Sequence, residues 1–359
     1  MSRETFSPEP VPAATSSVTS TMPLQEFKFH FLNEQGVATT IFRRNGSFDG
    51  AILRLDDVII PIDTVQSTDV QDNRLVIVSA TQPPVHLLQM RSAADLKNNI
   101  DRSASAYQAA EMRSRMESEG RLSEFRSALC GFCNATVNLT GFAESPQVYC
   151  DCCDAIQTVS MQSPVPKEND YNLCDECGMY SRPTKFTSFY FYFLFVVYGW
   201  FSDTRYCCPT CSRGTAWKMV FVNAIFLLGF PYSVYQLIRS YMADSLSGPM
   251  AGLHASNVAA RNGNFAKALL GYERILERVP VAAGLHFNLA WTLAQSGQME
   301  QAIAAADASL ADCSNYHPAA MLQLSLYQSL GNQIEVQRLA KQWGMEEFLQ
   351  QQQQQNVVA

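Results

Sequence analysis

The chain has 359 residues, 47% of them hydrophobic and 16% charged, with a formal net charge of −7. That length accommodates two or three domains. The stretch 119–218 holds acids and bases in similar number with no basic run, which excludes phosphate-backbone recognition, so no nucleic-acid partner is expected.

Residues 1–23 are rich in Pro, Ser and Thr without an apolar segment, and they read as a disordered tail that leaves the N-terminus in the cytoplasm. From 24 to 82 the pattern favours strands: FKFHFL, VATTIF, AILRL, DVIIPI, a run near 64–70 and RLVIVSA. Asn45-Gly46, Asp49-Gly50 and Asp72-Asn73 supply turn chemistry between them. Pro83-Pro84 then closes a small all-β unit, and 83–128 reads as a helical linker broken at Gly120.

Ten of the 11 cysteines fall between Cys130 and Cys211. In a reducing compartment such density points to metal rather than disulfides. Residues 129–215 are therefore expected to form four-cysteine modules of zinc-ribbon type. Cys130, Cys133, Cys150 and Cys153 offer one tetrahedral thiolate set, and Cys174, Cys177, Cys208 and Cys211 a second, for one or two structural Zn²⁺ ions. Cys152 and Cys207 are spare, and a cross-braced order in which Cys130 and Cys133 join Cys174 and Cys177 is equally open. Cys313 reads as a buried thiol.

An uncharged aromatic run, 186–201, separates the halves of the second set, and a further 20-residue apolar run covers 219–238. The second matches the ~20 residues that cross a bilayer and predicts a membrane helix over 216–239. If the first run spanned, ~30 Å of hydrocarbon would separate Cys208 and Cys211 from Cys174, whereas Zn–S bonds of about 2.3 Å require all four sulfurs together. The first run is therefore expected to dip into lipid and return. Both runs spanning, or the first forming a buried hairpin, are the alternatives. Membrane lipid is an expected partner of 186–201 and 219–238, with the zinc modules on the cytoplasmic side.

Gly263, Gly297 and Gly331 recur every 34 residues within RNGNFAKAL, QSGQMEQAI and SLGNQIEVQ. That period, with Ser256 and Ala290 in the first helices, Ala268 and Ala302 after the glycines and Pro280 closing the first repeat, resembles the tetratricopeptide repeat family over 249–345. The resemblance implies an all-α solenoid that binds a protein partner in its concave groove. The first helices offer Asn257, Arg261, Asn288, Trp291 and Gln295 for that contact. A Gln-rich tail, 346–359, follows.

Two weaker resemblances accompany it. Cys174, Cys177, Cys208, Pro209 and Cys211 are arranged similarly to the LITAF-type zinc domain over 171–215, which implies a membrane-inserted segment between two halves of one zinc site. The strands and helix of 26 to about 110 resemble a pleckstrin-homology-like domain. The histidines His30, His86, His254, His286 and His317 are scattered, and no phosphate-cradling loop or nucleophile elbow is present, so neither catalysis nor a small-molecule substrate is expected. The whole predicts a multidomain chain. A small all-β N-terminal domain and helix would precede zinc modules, two hydrophobic membrane segments and the repeat solenoid. Its expected role is that of a membrane-anchored, zinc-stabilised adaptor. The alternative is a thiol-redox or metal-handling membrane protein that uses its Cys-x-x-Cys pairs.

Overall fold

The computed structural model describes residues 23–33, 37–39, 41–71, 73–89, 93–159, 170–194, 197–226, 229–242 and 248–346. The expected tails at 1–23 and 346–359 lie, but for their innermost residue, outside these.

Seven strands form one antiparallel sheet: β1 Gln25–Phe31, β2 Arg44–Phe48, β3 Ile52–Leu55, β4 Val58–Pro61, β5 Val65–Gln71, β6 Arg74–Ser79 and β7 Val85–Gln89. Their order is β4-β3-β2-β1-β7-β6-β5. Alternate residues such as Leu75 and Ile77 point inward, as a half-buried strand requires. Helix α1, Ala93–Ser118, closes the core with Leu96, Ile100 and Ala104.

Three expectations change here. The strand read at 37–42 lies instead at β2, because Gly46 is not a turn residue: a Cβ there would stand 2.5 Å from the Phe27 ring of β1. Residues 85–89, read as the start of the helical linker, form β7, whose backbone bonds to β1 and β6. The linker itself is shorter than 83–128: α1 ends at Ser118, and Ser127–Leu129 is already strand β8.

The cysteine region follows as short hairpins. β8 pairs with β9, Thr136–Asn138; β10, Gln147–Tyr149, with β11, Ile156–Thr158; and β12, Asn172–Leu173, with β13, Tyr180–Ser181. The first module rests on α1. Lys97 Nζ donates to Asp101 Oδ2 of its own helix and to the Cys152 carbonyl, each at 2.5 Å, and Ser105 Oγ accepts from the Thr136 N–H at 3.0 Å.

The two apolar runs depart furthest from expectation. The described residues of 186–201 form no helix. They belong to β14, Thr184–Leu194, and β15, Val197–Cys207, one antiparallel hairpin in register from Thr184↔Cys207 to Leu194↔Val197. Phe, Tyr and Val favour the pleated ribbon over the helix. The hairpin also returns the chain to its starting point, whereas a 16-residue helix would leave its ends about 24 Å apart.

The run 219–238 is divided. α2, Pro209–Phe226, and α3, Phe230–Met242, pack against each other and against β14. Pro231 occupies the first turn of α3, where a missing N–H costs nothing, so it starts a helix instead of kinking one. Asn223, fully buried on α2, accepts from the Phe191 N–H at 3.2 Å and donates to the Phe189 carbonyl and to Ser233 Oγ, each at 2.7 Å. That polar junction fixes the fold-back. Among the described residues no helix is long and apolar enough to cross a membrane. The expected membrane helix, the two membrane segments of the fold class and the membrane localisation are corrected accordingly.

The C-terminal third is three helix pairs: α4 Leu253–Arg261 with α5 Phe265–Leu276, α6 Ala283–Gln295 with α7 Met299–Asp312, and α8 His317–Ser329 with α9 Gln333–Trp343. Gly263, Gly297 and Gly331 all take positive φ at the turn within each pair, the left-handed step that ends a helix. Asn264 and Asn332 cap the following helices through their side chains.

Candidate metal centres and the face that carries them

Three of the four Cys-x-x-Cys pairs form the same turn. In CGFCNA, CDCCDA and CDECGM the first cysteine N–H bonds to the carbonyl five residues on, at 2.9 to 3.0 Å. The residue after the second cysteine is left-handed: Asn134 at φ 59°, Asp154 at 58° and Gly178 at 68°. Asn, Asp and Gly are the types that tolerate this conformation. The fourth pair differs. Cys208 precedes Pro209, Cys211 lies in the first turn of α2, and the Cys208 N–H points at Cys174 Sγ at 3.2 Å.

These turns converge into two clusters, Cys130–Cys133–Cys150–Cys153 and Cys174–Cys177–Cys208–Cys211, with the sulfurs of each within 4.8 Å of one another. The cross-braced order is thereby excluded. Sulfur separations of 3.6 Å for Cys130–Cys153 and Cys133–Cys150, and 4.0 Å for Cys177–Cys208, suit a tetrahedral ion, for which Zn–S bonds of ~2.3 Å place sulfurs about 3.8 Å apart. Each cluster can hold a metal ion. Four thiolates would leave no coordination position for water or substrate, the character of a structural site. Cys152 and Cys207 stand outside both clusters, and Cys313 is fully buried, where desolvation pushes its thiol well above its ordinary range.

Of the five residues expected to make peptide contact, Asn257 and Asn288 are buried against the chain's own backbone. Asn288, fully buried on α6, accepts from the Tyr180 N–H at 2.7 Å and donates to the Tyr180 carbonyl at 2.7 Å. Asn257, on α4, donates to the same carbonyl at 2.9 Å; its own oxygen accepts from Tyr272 Oη at 2.8 Å and Asn288 Nδ2 at 3.1 Å. Tyr180 belongs to β13, beside the second cluster. Arg261 reaches that cluster directly: its guanidinium donates to Cys211 Sγ at 3.0 Å. Partial burial works against its charge, but negative charge on the sulfurs of Cys211, Cys177 and Cys208 holds it above the usual arginine value. Trp291 is half-buried against the same core, and Gln295 is exposed.

Sequence reasoning passed over the matching clamp on the first module. Asn315, just before α8, accepts from the Tyr149 N–H at 3.0 Å and donates to the Tyr149 carbonyl at 2.7 Å. Gln147 accepts from the Ala283 N–H at 2.9 Å. Burial, with Asp154 alongside, pushes the Tyr149 phenol far above its ordinary value, so it stays protonated and donates to Asp154 Oδ1 at 2.6 Å. The Tyr180 ring lies against Gly284 of α6, where a Cβ would come within 2.3 Å of it. Tyr149, Ile156, Tyr171, Met179 and Tyr180 share one hydrophobic core with the helices. The asparagines gave no periodic signal: Asn257, Asn288 and Asn315 lie 31 and 27 residues apart, off the 34-residue period of the glycines.

The tetratricopeptide repeat model matches residues 254–318, so this segment is a tetratricopeptide repeat unit, the kind of scaffold used for protein–protein contact. No curated protein matches the chain. Among solved structures the chain is similar to one described as MamA AMB-1, at 16% identity and TM-score 0.26, over 38% of this chain and 73% of that one. A MamA mutant matches at 16% identity and TM-score 0.25, over 39% and 80%.

Proposed function

We propose that this chain is a non-enzymatic protein-interaction adaptor whose repeat unit is braced by two structural zinc ions. The carrying observation is that Asn288 and Asn315 grip the backbones of Tyr180 and Tyr149, each beside a four-cysteine cluster, so metal binding and repeat packing act on the same residues. Cys130, Cys133, Cys150 and Cys153 would hold one ion, and Cys174, Cys177, Cys208 and Cys211 the other. Zinc at each set would supply the fold energy that short hairpins lack. The seven-strand sheet closed by α1 supports a pleckstrin-homology-like reading of 26 to about 110.

Elemental analysis of the purified chain under reducing conditions tests the reading. Two zinc ions per chain with unreactive cluster thiols are expected. Metal-free protein with a titratable disulfide among these cysteines would overturn it in favour of thiol-redox or metal-handling chemistry.

A further inference from the structure

The hairpins that pack against the repeat helices are the least able to keep their own shape. β12 and β13 are two residues each, and β10 and β11 three each; hairpins of this size have no independent stability in water. The turn of each hairpin carries two cysteines of a cluster, Cys150 and Cys153 in one and Cys174 and Cys177 in the other. The helices that receive them are 9 to 14 residues long and have a further core of their own around Ala290, Ala302, Ala306 and Leu326. Metal is therefore what shapes the occupant, while helix packing shapes the receiving face.

From this asymmetry we infer that the face formed by α4 and α6 is a binding site for an extended, tyrosine-bearing peptide, occupied in cis by the Tyr180 segment for as long as the Cys174–Cys177–Cys208–Cys211 cluster holds metal. The inference rests on the zinc reading above. Recognition at Asn288 uses one backbone N–H, one carbonyl and one ring. The amide takes the two backbone atoms at 2.7 Å each, and the bare Cα of Gly284 leaves room for the ring. None of these contacts is particular to the chain's own Met179-Tyr180-Ser181. A peptide presenting the same three groups takes the place once the cis segment leaves. Release is ligand exchange without redox change: Zn²⁺ passes to a competing chelator, and the four cysteine sulfurs remain as thiolates or take protons from solvent.

The test uses the full chain and a fluorescently labelled peptide of residues 178–184, GMYSRPT, which contains no cysteine. Binding is measured by anisotropy to the zinc-loaded chain, to the chain stripped by chelator under reductant, and to Tyr180→Pro, which removes the ring and the N–H of the occupant but leaves every receiving residue intact. Stripped chain and Tyr180→Pro are expected to bind at least tenfold tighter than the zinc-loaded wild type, with the helical far-ultraviolet signal retained. Adding Asn288→Ala to Tyr180→Pro is expected to return binding to the weak level. Refusal of the peptide by both forms, or equal binding by all three, overturns the site. Binding by Tyr180→Pro with none by a stripped, still helical chain overturns the metal control alone, and zinc content measured on the same sample shows whether the zinc reading fails with it.

Discussion

Asn288 and Tyr180 lie 108 positions apart, yet one amide side chain satisfies both backbone polar atoms of the other residue, each at 2.7 Å and out of contact with solvent. The Tyr180 carbonyl keeps Asn257 as a second donor, but its buried N–H has Asn288 as its partner, and losing it is costly, so this pair ties the second cysteine module to the repeat helices. Asn288→Ala is expected to destabilise the zinc-loaded chain by about 2–3 kcal/mol, read from the urea midpoint. Asn288→Asp keeps the acceptor but sets a carboxylate oxygen against the Tyr180 carbonyl, and its loss should be at least as large. A midpoint unchanged in both variants would remove the clamp from the account.

Metal stoichiometry separates the two clusters. Cys130→Ser and Cys174→Ser are each expected to lower zinc from two to one per chain, and the double variant to none. Cys152→Ser and Cys313→Ser should keep two. The check is elemental analysis after gel filtration; a Cys152→Ser chain short of one ion would assign the ligand set differently.

Arg261 places a permanent positive charge against Cys211 at 3.0 Å. Removing a group that orients and neutralises a metal ligand typically costs 10- to 100-fold in affinity. Arg261→Gln should therefore weaken zinc at the second cluster by roughly tenfold and leave the first unchanged. Competition with a chromophoric chelator resolves the two sites, and equal weakening at both would point to a general loss of fold.

Gly284→Ala sets two opposed effects against each other. In the first turn of α6 alanine gains less than the ~1 kcal/mol of a helix interior, whereas its Cβ would meet the Tyr180 ring at 2.3 Å, and overpacking of this kind costs ~1–3 kcal/mol. The clash involves a buried ring with no free direction, so net destabilisation is expected. Tyr180→Ala in the same chain should remove the penalty of Gly284→Ala, and additivity in that double-mutant cycle would refute the contact.

Lys97 joins α1 to the first module. Burial opposes its charge, but the Asp101 carboxylate beside it outweighs burial and raises the ammonium above its ordinary 10.5. A lysine raised in the folded state contributes stability that is complete below the unfolded value and lost as pH climbs through the folded one. Stability attributable to Lys97 should thus be flat up to about pH 10 and fall above it. The difference between wild type and Lys97→Met in denaturation midpoint, followed from about pH 8 to about pH 11.5, should shrink over that alkaline range; a constant difference would sink the assignment.

Legibility in the sequence followed the range of the interaction. The Cys-x-x-Cys pairs, the left-handed types Asn134, Asp154 and Gly178 behind three of them, and the 34-residue recurrence of Gly263, Gly297 and Gly331 all act within a few residues of themselves, and spacing suffices to read them. The aromatic run 186–201 misled because apolar length is shared by membrane segments and long ribbons. What separates the two is the pairing of Thr184 with Cys207, a contact across the hairpin that hydropathy does not record. Similarly, the apolar length of 219–238 concealed Asn223, a buried polar residue whose three hydrogen bonds hold α2 to β14 and to α3.

The sequence by itself determined that this chain carries two sets of four cysteines and a 34-residue helical repeat, because ligand spacing and helix-pair length are local requirements of bond geometry and of packing between neighbouring helices. Only the tertiary structure decided which cysteines meet, that the apolar runs pair as a ribbon and pack as two helices against it, and that Asn257, Asn288 and Asn315 hold the chain's own Tyr180 and Tyr149. These last contacts join residues 77 to 166 positions apart. Their partners are backbone atoms, which every residue possesses, so no residue type in the sequence marks them.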